Sequence, residues 1–291
     1  MAGPRSQIFS PVNFQDLFSA WKSFPGAVLC AGGAELIRSQ ARQLPDLPPN
    51  VISLDKLDDL KKISRTERYL EIGAMVRLNQ IIHMGKIVPE ALIRCLENIA
   101  EPKLRNLITI GGNICNFSRR MDCSGPMIAL DAQFELRTAQ SSRWLAASRF
   151  SSLPGPPDLA PQEILTRIRV PLEPWTFTWY RKFNIPCSNE PGGNILFMIM
   201  TEKDILTKIR VVYSGKTILR EKNDETMLSG KHLPLDRRDA EAFLDRWKTY
   251  LSVFETNDNS IFPGEGENFN PELAKAQILN FIESTLTHIT D

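Results

Sequence analysis

The stretch TIGGNICNFSRRMDCSGPMIALDA, Thr109 to Ala132, sets how the whole chain is read. Two adjacent glycines, Gly111 and Gly112, follow the β-favouring pair Thr109 and Ile110 and precede a small polar residue, Asn113. Glycine lets a backbone approach a ligand closely or take a positive φ, so the pair reads as a turn whose N–H groups face outward. Outward N–H groups suit an anionic group such as a phosphate. Further on stands Asp122, an acceptor-only carboxylate able to take hydrogen bonds from hydroxyl or imide N–H donors of the same ligand.

A second glycine pair lies upstream in AVLCAGGAEL, Ala27 to Leu36. Here an apolar run leads into Gly32-Gly33 and then a helix-favouring segment. The order is strand, turn, helix, with the turn placed to cradle phosphate at a helix N-terminus. Either pair alone is more often an ordinary tight turn; the two together strengthen the case for a ligand.

Composition removes several function classes. The chain has 291 residues, enough for two or three packed units. Its 35 lysines and arginines nearly balance 34 acids, so the global charge indicates neither nucleic acid nor an anionic membrane. No apolar run reaches membrane-spanning length, and MAGPRSQIFSPVNF lacks the apolar centre of a signal peptide. The five cysteines, Cys30, Cys95, Cys115, Cys123 and Cys187, are scattered without a CxxC. That usage fits a reducing cytoplasm and speaks against a disulfide framework or a cysteine-held metal. His83, His232 and His288 are the only histidines, which leaves little for a zinc site or a catalytic triad.

With AGGAEL, IAEPKLRNLITIGGNICN, Asp122 and IALDA in this order, the chain resembles the FAD-binding subunit of the molybdenum hydroxylases, the family of xanthine, carbon monoxide and nicotinate dehydrogenases. ISLDKL, LEIGAMVRLNQII, WYRKF and MLSGK extend the resemblance through most of the chain. It implies an α+β protein with the FAD-binding fold of the vanillyl-alcohol oxidase type: a small parallel α/β unit, an antiparallel sheet unit, and a C-terminal three-stranded sheet with helices. It also implies FAD as cofactor. Around the pyrophosphate it places Leu29, Cys30, Ala31, Gly32, Gly33, Ala34, Glu35 and Leu36 on one loop, and Thr109, Ile110, Gly111, Gly112 and Asn113 on the other. Ile99 would pack on the flavin nucleotide, Asp122 would meet the nucleotide or ring, and Lys182 would close the site with a positive charge.

The pattern along the chain divides at residues 1–60, 61–174 and 175–291. Phe14, Leu17, Phe18 and Trp21 share one face of a helix that Pro25-Gly26 ends. A strand over Ala27 to Cys30, a helix over Glu35 to Gln43 and a strand over Asn50 to Leu54 make a small parallel sheet. Asp55 to Lys62 reads as a solvated turn. The second unit opens with the strand LEIGA, carries two helices up to Ala100, and continues with strands at Gln133 to Thr138 and Ile164 to Val170. Ser141 to Phe150 and Leu153 to Pro161 read as surface connections. Arg105 suits a pairing carboxylate that would hold its loop, or direct ligand contact. The third unit holds three successive aromatic and β-rich strands, then helices over Asp236 to Tyr250 and Pro271 to Thr287. Trp179 and Tyr180 are candidates for stacking on a ring or for core packing.

Two segments depart from the family pattern. NIPCSNEPGG after Lys182 lacks the arginine and the acid-aromatic pattern of many relatives, and NFSRRMDCSG carries Arg119 and Arg120 where relatives have small residues and proline. No cysteine-rich insertion for an extra iron–sulfur cluster occurs. The resemblance therefore implies a cytoplasmic subunit without catalytic or metal-ligating residues of its own. Its expected partners are a molybdopterin-binding large subunit and a two-iron iron–sulfur small subunit, with NAD or another molecule as acceptor. A non-flavin assembly protein that keeps the fold is the alternative, and a free-standing flavin oxidoreductase a third.

Overall fold

The computed structural model describes residues 6–38, 47–116, 122–151, 158–184, 191–215, 218–253 and 271–290. Its first sheet is parallel, built from β1 (Gln7–Phe9), β2 (Val28–Cys30) and β3 (Asn50–Ser53) in the order β1-β3-β2. Helix α1 (Phe14–Ser23) starts where the Asn13 side chain accepts the Asp16 N–H at 2.8 Å, and α2 (Ala34–Arg38) follows β2. Leu17 and Phe18 of α1 are buried against Ile52, as the helical spacing predicts. The strand β1 was not anticipated, because three residues carry no readable alternation. Leu57 and Leu60 also depart from the solvated-turn reading of 55–62: both are buried, and only their charged neighbours face water.

The second sheet is antiparallel. Its strands are β4 (Ile63–Arg65), β5 (Tyr69–Gly73), β6 (Gln133–Arg137), β7 (Ser142–Ala146) and β8 (Ile164–Pro171), in the order β4-β5-β8-β6-β7. Helices α3 (Leu78–His83), α4 (Glu90–Glu97), α5 (Pro102–Arg105), α6 (Ile110–Ile114), α7 (Ser124–Ala129) and α8 (Ala147–Phe150) accompany it. Ser142–Ala146 is thus an edge strand followed by a short helix, rather than a surface connection. Phe134 and Leu136 of β6 share one buried cluster with Leu92, Cys95, Met127 and Phe150 from the helices.

The third sheet is also antiparallel, with β9 (Phe177–Asn184), β10 (Pro191–Glu202), β11 (Ile205–Ser214) and a fourth strand of two residues, β12 (Ile218–Leu219). Against it lie α9 (Arg237–Val253) and α10 (Pro271–Thr290), which bury Phe243, Trp247 and Ile282 with Phe197 and Ile209. Arg210 and Arg220 tie this sheet to the second. Arg220 donates to the Ile128 carbonyl at 2.7 Å and Arg210 to that of Ala129, so two cations cap the C-terminal end of α7. The same guanidinium groups pair with Asp131 and Glu225.

Candidate functional site

The turn after β2 and the start of α6 meet through their glycines. Gly33 has φ +72°, and along its Cβ direction the only neighbour is Cys30 Sγ at 3.8 Å, so that side is open. A Cβ on Gly32 would stand 1.7 Å from the Leu107 carbonyl oxygen; only glycine lets the turn pass beneath that loop. A Cβ on Gly112 would lie 3.6 Å from the Ala31 Cβ. Among the described residues, no acceptor takes the N–H groups of Gly32, Gly33 or Ala34. Three successive half-buried donors therefore stand without an acceptor among the described residues at this turn, in front of α2.

The second glycine pair behaves differently and corrects the expectation of outward N–H groups. Gly111 N donates to the Ala74 carbonyl at 2.9 Å and Gly112 N to Thr109 Oγ1 at 3.1 Å, while Ile110 N reaches the Val76 carbonyl at 2.9 Å. Thr109 is the cap of α6, and its first-turn donors are satisfied within the protein. What Gly111 permits is close packing, since a Cβ there would stand 2.7 Å from Ala74. Asn113 is 3% exposed and turns its Oδ1 to the Cys123 N–H at 3.3 Å.

Asp122 and Lys182 come together. The Lys182 ammonium donates to Asp122 Oδ2 at 2.7 Å and to the Asn98 carbonyl at 3.2 Å. Asp122 is 8% exposed, and its Oδ1 receives no hydrogen bond from the described residues. Its main-chain oxygen accepts from Asn194 Nδ2 at 3.1 Å and from Cys95 Sγ at 3.5 Å. The neighbouring Cys95 thiol, together with burial, holds the Cys123 thiol protonated, well above its ordinary range. Burial likewise raises the Cys30 thiol.

The remaining candidates divide. Leu29 and Ala31 pack against the first core, and Ile99 is buried in the second, next to the Asn98 carbonyl that Lys182 holds. Glu35 and Leu36 lie in the first turns of α2. Arg105 makes no ion pair among the described residues, and its Nε is buried without a hydrogen-bond partner among them. Trp179 stacks on Phe177, with centroids 5.8 Å apart, and Tyr180 packs against the second core. His83 is exposed. Arg119, Arg120, Cys187 and most of the stretch after Lys182 lie outside the described residues. Among the described residues there is no group of metal-ligating side chains, and no helix is long and apolar enough to cross a membrane.

Reading the sequence missed Asn194 and Cys95. One signal for Asn194 was present: the triplet Gly-Gly-Asn occurs at 111–113 and again at 192–194, and both asparagines hold the Asp122–Cys123 peptide.

Residues 4–173 match the family model described as the FAD binding domain in molybdopterin dehydrogenase. The chain is similar to a xanthine dehydrogenase FAD-binding subunit of Escherichia coli O157:H7, 30% identical over 154 residues that make up 52% of each chain. The match thus spans about half the length of that relative. Similarity to a nicotine 6-hydroxylase medium subunit of Paenarthrobacter nicotinovorans is 23% over 243 residues, 81% of this chain and 84% of the relative. In fold it is similar to a chain of carbon monoxide dehydrogenase from Hydrogenophaga pseudoflava, with TM-score 0.78, 22% identity and coverage of 99% and 98%. A chain of quinoline 2-oxidoreductase from Pseudomonas putida 86 superposes with TM-score 0.79 and 19% identity, covering 100% and 98%.

Proposed function

Because the chain belongs to the family of FAD binding domains in molybdopterin dehydrogenases, we propose that it is the flavin-carrying subunit of a molybdenum-containing hydroxylase. Its partners in this reading are a molybdopterin-binding large subunit and a two-iron iron–sulfur small subunit, in the cytoplasm. FAD supplies the redox chemistry, taking electrons from the iron–sulfur clusters and passing them to NAD or another acceptor. The three units proposed for this work are residues 1–60, 61–174 and 175–291. The scaffold alternative is not favoured, because family membership carries the cofactor with it.

The observation that carries the reading is a run of three successive N–H groups, Gly32, Gly33 and Ala34, that meet no acceptor among the described residues at a turn where Gly33 takes a left-handed φ. Such donors fit a pyrophosphate: each is half-buried and lacks a protein acceptor that the ligand would have to displace. The start of α6 forms the wall behind them through Gly112 and Ala31. Asp122 Oδ1 offers an acceptor to hydroxyl or imide donors, and the Lys182 ammonium at 2.7 Å from Oδ2 holds that carboxylate in place. Leu29 and Ile99 contribute apolar packing beneath.

The test is the visible spectrum of the purified chain after incubation with FAD and removal of the excess. The wild type retains a flavin band in this reading. Ala34→Glu puts a carboxylate at the donor cluster without entering the core and is expected to abolish retention with an unchanged unfolding midpoint. Retention by Ala34→Glu equal to wild type would remove the pyrophosphate from this turn. Gly111 and Gly112 are poorer positions to substitute, since a side chain at either strikes Ala74 or Thr109 first.

A further inference from the structure

We propose that Asn194 is a positioning residue for the flavin site, acting through Asp122. The inference rests on the reading that Asp122 faces FAD. Asn194 on β10 lies directly across from Lys182 on β9 in the strand register. These two cross-strand neighbours grip the same residue at two points: Lys182 Nζ holds the carboxylate at 2.7 Å and Asn194 Nδ2 holds the main-chain oxygen at 3.1 Å.

A single tether would leave the carboxylate free to pivot; two tethers from one rigid strand pair fix both position and direction. Asn194 is 2% exposed, and its Oδ1 has no hydrogen-bond donor among the described residues. Rotating the amide would set that oxygen against the Asp122 carbonyl, so the donor orientation is the only favourable one. Gly125 makes room for it, since a Cβ there would stand 2.8 Å from Asn194 Oδ1. The neighbouring tethers, Asn113 Oδ1 on Cys123 N and Cys95 Sγ on the Asp122 oxygen, come from α6 and α4. Lys182 and Asn194 are the two points at which the third sheet holds Asp122 among the described residues.

The test is a double-mutant cycle on FAD affinity, followed by flavin fluorescence with the full chain. Asn194→Ala is expected to weaken FAD about tenfold, the typical effect of one buried hydrogen bond expressed in binding. Asp122→Asn should weaken it at least as much, and the double variant no further than Asp122→Asn alone. Where the alanine variant does not fold, Asn194→Asp keeps the shape, turns an oxygen on the Asp122 carbonyl and carries the same expectation. The bound flavin's absorption envelope should shift with each single variant, which a merely structural defect would not produce. Additive losses in the cycle would overturn the inference while leaving the flavin reading intact. No effect of Asp122→Asn in a chain that binds FAD would overturn both the role of Asp122 and that of Asn194, whereas a wild type that binds no FAD would overturn the flavin reading itself.

Discussion

Lys182 concentrates the residue-scale physics of this protein. Its ammonium neutralises Asp122, a carboxylate almost wholly withdrawn from water, and satisfies the Asn98 carbonyl with the same group. Removing one partner of such a pair costs more than removing both, because an uncompensated charge stays behind. Lys182→Met should therefore lower stability by about 2 kcal/mol, the pair being partly solvated. The double variant Lys182→Met, Asp122→Asn should recover part of that loss in a urea titration. Equal stability of the single and double variants would mean the pair carries no charge burden. The chemistry at 182 was legible, since a lysine at the family position stood out. Its partner was not, because the two residues are sixty positions apart and meet only through β9.

At the scale of elements, α6 shows how a motif can keep its residues while changing their task. Thr109 caps the helix, and the Gly112 N–H expected to meet a ligand donates to the Thr109 hydroxyl. Thr109→Val preserves shape and removes that acceptor, leaving a half-buried donor unpaired. The expected loss is about 1 kcal/mol, read as a lower unfolding midpoint. The helix α1 was legible from its apolar spacing, and the antiparallel core strands β5, β6 and β8 from their alternation. The strand β7 was not, since Trp144 and Leu145 look alike in sequence although one is exposed and the other buried. Two- and three-residue strands such as β12 and β1 exist by pairing with a neighbour, and no local pattern announces them.

For the whole molecule, acid stability offers a readout that does not depend on the cofactor. Arg143 on β7 donates twice to Glu163, at 2.8 Å each, and holds that carboxyl below its ordinary range, with the Ala160 N–H assisting. A depressed folded-state pKa contributes stability that is present above the unfolded value, about 4.3, and lost as pH falls through the lower folded value. The midpoint of urea unfolding of wild type should fall on acidification from about pH 5 to about pH 3, and Glu163→Gln should flatten part of that slope. An identical slope in the variant would remove Glu163 from the acid response.

Taken alone, the order of amino acids established the α+β class and the flavin family and nominated positions for a site, because glycine pairs, apolar periods and single charged residues act locally. Folding in space settled which N–H groups are free. Both glycine pairs offered donors on paper, yet the donors of Gly111 and Gly112 are consumed by Ala74 and Thr109, and those of Gly32 and Gly33 meet no acceptor among the described residues. It also assigned Asp122 its partners, Lys182 and Asn194, from a sheet far along the chain. A hydrogen bond joins whatever the packing brings within reach, and strand register set that reach here, where spacing along the chain carries no trace of it.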